Sequence, residues 1–304
     1  MTFEIVLPGK WVLAGEHAVL RGASAVALPH PTLGMRLSFE SLEIESELVI
    51  QPVEFASVLK DLVMRACQQK RGDEGREVFS SLRGKLTVSS TLPMGAGLGS
   101  SAALCVAVTR WLGSVLSIAQ EDEIGFATRL EDYFHGDSSG MDVAVIAMAR
   151  PVRFVRGERP TVLPISRLPR FTFHDSGLRA KTSDCVRQVV ELFESDAEKA
   201  KAADARMGRA ALQITDALQV YDHGQVDRAL RQLADGMRAA QRSFEDWGLV
   251  PEGVQVLIRQ LIAQGALAAK ITGAGGGGMV VALWRELPGM RSGDQLLGTF
   301  DLQS

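Results

Sequence analysis

From Met1 to Pro93 the apolar residues come in short runs or alternate with polar ones, as at Thr2–Leu7, Trp11–Leu13, Ala25–Leu28, Met35–Phe39 and Leu48–Gln51. Pro8, Gly9, Gly22, Pro29, Pro31 and Gly34 fall between these runs, so the pattern predicts strands punctuated by turns. Val58, Leu62, Met64 and Ala66 have helical spacing and predict a helix from Phe55 to about Gln69, and Lys85–Ser90 alternates as another strand. Gly95–Gly99 reads as a glycine-rich turn. A helix should follow from Ser101 to about Ile118, with Leu104, Val108, Leu112 and Val115 on one face. Glu121–Phe134 predicts a second helix, and Arg153–Arg156 alternates like a strand. Beyond Arg170 the chain changes character. Phe171–His174 is strand-like, and Ser183–Glu245 is helical almost throughout, with breaks near Ser195–Asp196 and Asp222–Gly224. Pro251–Gln264 is a further helix, and Ala268–Trp284 reads as strand, glycine loop, strand. A strand-rich first half and a helix-rich second half predict a two-part α+β architecture.

Composition narrows the function classes. At 304 residues the chain is long enough for two domains, and 46% hydrophobic content supplies a sizeable core. A net charge of −3 gives none of the basic footprint that nucleic-acid binding needs. No uninterrupted apolar stretch reaches membrane-spanning length, and Met1–Leu7 carries Glu4 rather than a positive leader, so no membrane and a cytoplasmic setting are expected. Cys67, Cys105 and Cys185 match no metal or disulfide spacing and read as buried, reduced thiols.

Three glycine-bearing segments carry candidate chemistry. They are Pro8-Gly9-Lys10 leading to Gly15-Glu16-His17-Ala18-Val19, then Gly95-Ala96-Gly97-Leu98-Gly99-Ser100-Ser101, then Lys270-Ile271-Thr272-Gly273 to Gly278. In the second, glycines let backbone N–H groups approach a ligand, and Ser100 and Ser101 open an apolar helix. A helix N-terminus offers unpaired donors and the positive end of a dipole, which suits phosphate, and a hydroxyl there can reach a phosphate-bound Mg²⁺. The same residues also suit a tight turn with a serine cap. Neither a Walker A loop nor a complete dinucleotide fingerprint is present. Glu131 and Asp142 flank the turn His135–Gly140 and suit one metal ligand and one acceptor of a hydroxyl proton, although each alone suits a surface charge. Lys10 could neutralise transition-state charge or be a solvated loop lysine. Glu16 and His17 could contact a substrate or a nearby lysine, or simply pack.

Taken together and in order, the three segments resemble those of the GHMP kinase family, and within it the mevalonate-phosphorylating branch, to which Gly15-Glu16-His17-Ala18-Val19 is most similar. The resemblance covers most of the chain. It implies a two-domain GHMP kinase fold. Residues 1–167 would form a domain like the second domain of ribosomal protein S5, and residues 168–304 a ferredoxin-like domain with extra helices. It implies ATP and Mg²⁺ as cofactors and a small-molecule alcohol as substrate, mevalonate first. Gly95, Ala96, Gly97, Leu98, Gly99, Ser100 and Ser101 would hold the ATP phosphates, and Ser101 and Glu131 the Mg²⁺. Asp142 would be the general base, with Lys10 close to it stabilising charge, and Glu16, His17 and Thr182 would help bind the substrate. Arg179 or Lys181 could pair with a substrate carboxylate. The family usually reads His-Gly-x-Pro-Ser-Gly-x-Asp-Asn where this chain has Ser138 for the proline and Val143 for the asparagine, with Asp137 an added charge. The chain is short between Ile44 and Leu86, so any lid there should be small.

Rival expectations are another kinase of the family, acting on phosphomevalonate, homoserine or a sugar, and a catalytically silent nucleotide- and metabolite-binding relative. Retention of Lys10, Glu131 and Asp142 weighs against the second. The Ser183–Glu245 helices are a candidate homodimer surface, or pack on their own sheet.

Overall fold

The computed structural model describes residues 2–41, 47–93 and 95–287, together with the backbone of 295–296; Ile44 and Met94 therefore lie outside the described residues. The chain forms two compact units, one of Leu33–Pro93 and Gly99–Ala149 with the start of the chain up to Gly9, the other of Lys10–Thr32, the Gly95–Leu98 stretch and the chain from Arg150 on.

Two long strands, β1 (Thr2–Ala14) and β2 (Ala25–Glu40), contribute to both units and pair with each other. This corrects the expectation of separate short strands at Thr2–Leu7, Trp11–Leu13, Ala25–Leu28 and Met35–Phe39. Proline lacks the N–H a ladder needs, so it is tolerated only where no partner strand asks for one. Pro29, Pro31 and Gly34 fall in the gap between two ladders of β2, one at Ala25–Ala27 and the other at Met35–Glu40. Pro8 lies in β1, whose strand pairing is with β2 alone.

In the first unit β2 continues into an antiparallel ladder with β4 (Lys85–Ser90), and β3 (Val49–Gln51) runs parallel to β4. The helices are α1 (Ala56–Arg71), α2 (Gly75–Ser81), α3 (Ser100–Leu116), α4 (Glu123–His135) and α5 (Met141–Met148). α2 was not expected; at seven residues it is too short to show a period. α3 is apolar on nearly every face, as a central helix must be, and packs against α1, α4 and α5.

In the second unit the start of β2 pairs with β5 (Val152–Phe154), which pairs with β6 (Thr161–Val162). A separate antiparallel sheet holds β7 (Arg170–Asp175), β8 (Ala268–Ile271), β9 (Met279–Trp284) and β10 (Gln295–Leu296) in the order β10-β7-β9-β8. Counted within that sheet the order is 4-1-3-2, the ferredoxin-like arrangement. The helices α6 (Thr182–Ser195), α7 (Ala197–Asp222), α8 (Val226–Asp246) and α9 (Glu252–Ala263) break where the sequence pattern placed the breaks. α7 and α8 pack along each other and α8 covers β8. Trp11 of β1 meets Phe171 and Phe173 of β7 edge-on, each at 5.0 Å between ring centroids.

Gly15 turns the chain out of β1 with φ +109°, and a Cβ there would lie 2.2 Å from Ala25 Cα. Backbone strain and overlap therefore act together. Gly15→Ala is expected to lower unfolding free energy by about 3 kcal/mol or more. Urea denaturation of the two proteins measures this directly.

Candidate active site

In the second unit the chemistry gathers along the outer edge of β1. The N–H of Lys10 donates to Leu98 O at 2.9 Å, inside the second glycine segment. Two residues on, the Thr272 hydroxyl accepts from Val12 N–H at 3.0 Å and donates to Val12 O at 2.9 Å. Lys270 donates to that same carbonyl at 3.3 Å and to Glu16 Oε1 at 2.5 Å. Side chains of the third glycine segment thus replace a missing partner strand for the first. Lys270 is fully buried, Glu16 nearly so, and the Lys270 ammonium lies 5.2 Å from the Phe244 ring centroid. Burial pushes Glu16 up and Lys270 down, while their mutual attraction opposes both shifts. Lys10, also buried, lies near enough that its charge lowers the pKa of both.

The two glycine loops touch backbone to backbone. A Cβ on Gly273 would come within 3.1 Å of Gly97 Cα, and one on Gly278 within 3.0 Å of Ala96 O. Only glycine permits this approach. It presents Gly95–Leu98 against Gly273–Gly278 as a single wall.

Glu16 and His17 are buried rather than open to solvent. His17 has φ 56°, ψ −50°, and Ala18 N–H donates to Glu16 O at 2.6 Å, which together define a strained γ-turn. Its ring Nε2 sits 2.7 Å from Ala274 O. A carbonyl only accepts, so Nε2 carries the proton of a neutral imidazole. The ring packs edge-on to Trp247 at 5.3 Å and Phe244 at 6.1 Å.

Arg179 forms a two-pronged pair with Asp175 at 2.7 and 2.6 Å, and its Cδ lies beside Gly95. That pairing raises Arg179 and lowers Asp175. Thr182 is the exposed first residue of α6.

In the first unit Ser100 and Ser101 begin α3. Its N-cap is Gly99, with φ 77° and ψ 31°, a residue with no side chain of its own to cap the helix. Cys105, one turn after Ser101 on the same face, has its thiol pushed well up by burial and by the nearby charge of Glu131. Glu131 is buried on α4, which packs against α3. Its buried carboxylate accepts from Ser138 Oγ at 2.5 Å. Asp142 lies in the first turn of α5, which packs on both α3 and α4. A hydroxyl and a carboxylate on facing helices are hard oxygen donors of the kind Mg²⁺ takes alongside phosphate and water, so the residues present fit that ion.

Lys270, Thr272 and Ser138 hold these groups, and no role was read for them from sequence. The signal for Lys270 was there: a charged residue in an otherwise apolar strand needs a buried partner.

Profiles described as GHMP kinases N terminal domain and GHMP kinases C terminal match residues 58–150 and 216–287. The chain belongs to the GHMP kinase family. It is 28% identical to the mevalonate kinase of Aeropyrum pernix, over 92% of this chain and 87% of that protein. It superposes on the crystal structure of L. major mevalonate kinase in complex with R-mevalonate with a TM-score of 0.72 and 22% identity, covering 94% of this chain and 88% of that one. A Streptococcus pneumoniae phosphomevalonate kinase, in complex with phosphomevalonate and AMPPNP, gives a TM-score of 0.70 at 19% identity, over 94% and 93%. Two acceptors on one fold at nearly equal likeness mean that the fold alone does not choose between them. Among the described residues no helix is long and apolar enough to cross a membrane.

Burial pushes His17 and His30 from 6.5 down to about 4. Each folded-state value lies below its unfolded one, so the stability they confer is complete above pH 6.5 and is lost as pH falls toward 4. The loss per histidine is on the order of 3 kcal/mol at most. His17→Gln should flatten the fall in unfolding free energy between pH 7 and 4.5, as read by urea titrations across that range.

Proposed function

We propose that this protein transfers the γ-phosphoryl group of ATP to the primary hydroxyl of mevalonate, giving 5-phosphomevalonate and ADP. The observation that carries the phosphoryl-transfer half is a glycine N-cap at the start of α3, reached through a glycine segment that packs backbone to backbone on a second one. The choice of acceptor rests on likeness to the A. pernix enzyme across nearly the whole chain.

Gly95–Ser101 would hold the phosphates through backbone N–H groups. Ser101 and Glu131 would hold Mg²⁺, which when bound offsets the negative charge of the phosphates. Asp142 accepts the proton of the attacking hydroxyl. A bond forms between that oxygen and the γ-phosphorus while the bond to the β,γ-bridging oxygen breaks, and ADP leaves with the bonding pair. The Lys10 ammonium stabilises charge on the hydroxyl oxygen as the proton departs. Glu16, His17 and Thr182 would help bind the acceptor. The family boundary is assigned near residue 167, and the setting is the cytoplasm, in keeping with three free cysteines.

The test is ADP release with Mg²⁺-ATP and mevalonate, phosphomevalonate, homoserine, galactose or no acceptor. Turnover with mevalonate alone supports the reading. Turnover with another acceptor keeps the chemistry and reassigns the pocket, and turnover with none, despite ATP binding, favours the silent relative. Asp142→Asn should lower kcat by roughly 10³-fold or more with ATP affinity little changed. Near-normal turnover in that variant would remove Asp142 as the base.

A further inference from the structure

Ser138 stands where the family's turn usually carries proline, and it makes three hydrogen bonds, none of which a proline could form. Its hydroxyl donates to Glu131 Oε2 at 2.5 Å, the length of a charge-assisted O–H···O⁻ bond. The same oxygen accepts from Gly140 N–H at 3.2 Å, and Ser138 N–H donates to Asp132 Oδ1 at 2.8 Å. Proline has neither a hydroxyl nor an N–H.

The bonds have a direction. Gly140 N–H occupies a lone pair of the Ser138 oxygen, which leaves the hydroxyl proton aimed at Glu131. Gly140 is the N-cap of α5, and Asp142 lies in the first turn of that helix. Asp132 and Glu131 are neighbours near the end of α4. Ser138 therefore links the Glu131 carboxylate of α4 to the cap of the helix bearing Asp142.

We propose that Ser138 is a positioning residue that fixes the Glu131 carboxylate for the cation and holds the start of α5 in register with it. This inference rests on the assignment of Glu131 as a cation ligand in the proposed function. It does not depend on which alcohol is the acceptor. Residues behind a ligand typically change metal affinity by 10- to 100-fold without touching the metal.

The test is calorimetric binding of ADP with and without Mg²⁺ to wild type, Ser138→Ala, Ser138→Pro and Ser138→Thr. The alanine and proline variants should lose about tenfold of the Mg²⁺-dependent gain in ADP affinity, with metal-free ADP affinity held within about twofold. Threonine keeps the hydroxyl and should stay within about threefold of wild type in both. Equal weakening with and without Mg²⁺ would mean that Ser138 only supports the loop, and no weakening would mean that Glu131 does not need it; either result overturns the inference. If the proline variant fails to fold, alanine and threonine still decide. A wild type that binds Mg²⁺-ADP yet phosphorylates no tested alcohol would sink the proposed acceptor and leave this test standing. A wild type with no Mg²⁺-dependent gain would sink the cation site and this inference with it.

Discussion

The outer edge of β1 is closed by side chains rather than by another strand, and the arrangement around the glycine loops depends on that closure. An unpaired strand edge exposes N–H and C=O groups that must find partners wherever water is excluded. Val12 finds both of its partners in one hydroxyl, that of Thr272, with Lys270 as a second donor to its carbonyl. The Lys10 backbone is caught by Leu98. Because the donors come from the segment that also supplies Gly273–Gly278, closing the edge also sets the glycine loops against each other. The energetics are asymmetric. Removing one member of a buried ion pair typically costs roughly 3–5 kcal/mol because the other is left uncompensated, whereas a well-made pair adds little over an apolar substitute. Lys270 and Glu16 thus contribute more to where β1 sits than to how strongly the chain folds. The strained turn at His17 persists for the same reason. It is held at Ala274 on the same glycine segment, and by the rings of Trp247 and Phe244.

The first unit uses the opposite charge. The helix start at Ser100–Ser101 offers positive potential, and α3 packs against α4, which carries Glu131, and α5, whose first turn carries Asp142.

Legibility followed the range of the interactions. The helices from Thr182 to Asp246 and their breaks were readable because a helical face repeats within a few residues. The glycine segments were readable because composition alone marks them. The long strands were not. Pro29, Pro31 and Gly34 look like turn residues, and only the layout of the β4 and β5 ladders shows that they fall between the two. Lys270 and Thr272 were visible as letters of the third segment, but their partners lie more than 250 residues away and leave no local pattern. Ser138 was visible as a departure from the family's turn. What it bonds to emerges only when α4 and α5 are side by side.

The bonds between Thr272 and Val12 span 260 positions of the chain. At synthesis rates of about 5–20 residues per second, the edge of β1 leaves the ribosome on the order of 10–50 s before the residues that will close it exist. For that interval a nascent chain carries an apolar strand, Trp11-Val12-Leu13-Ala14, with one side open. Whatever shields it then, whether early pairing with β2, slow translation or a chaperone, governs the yield of native protein.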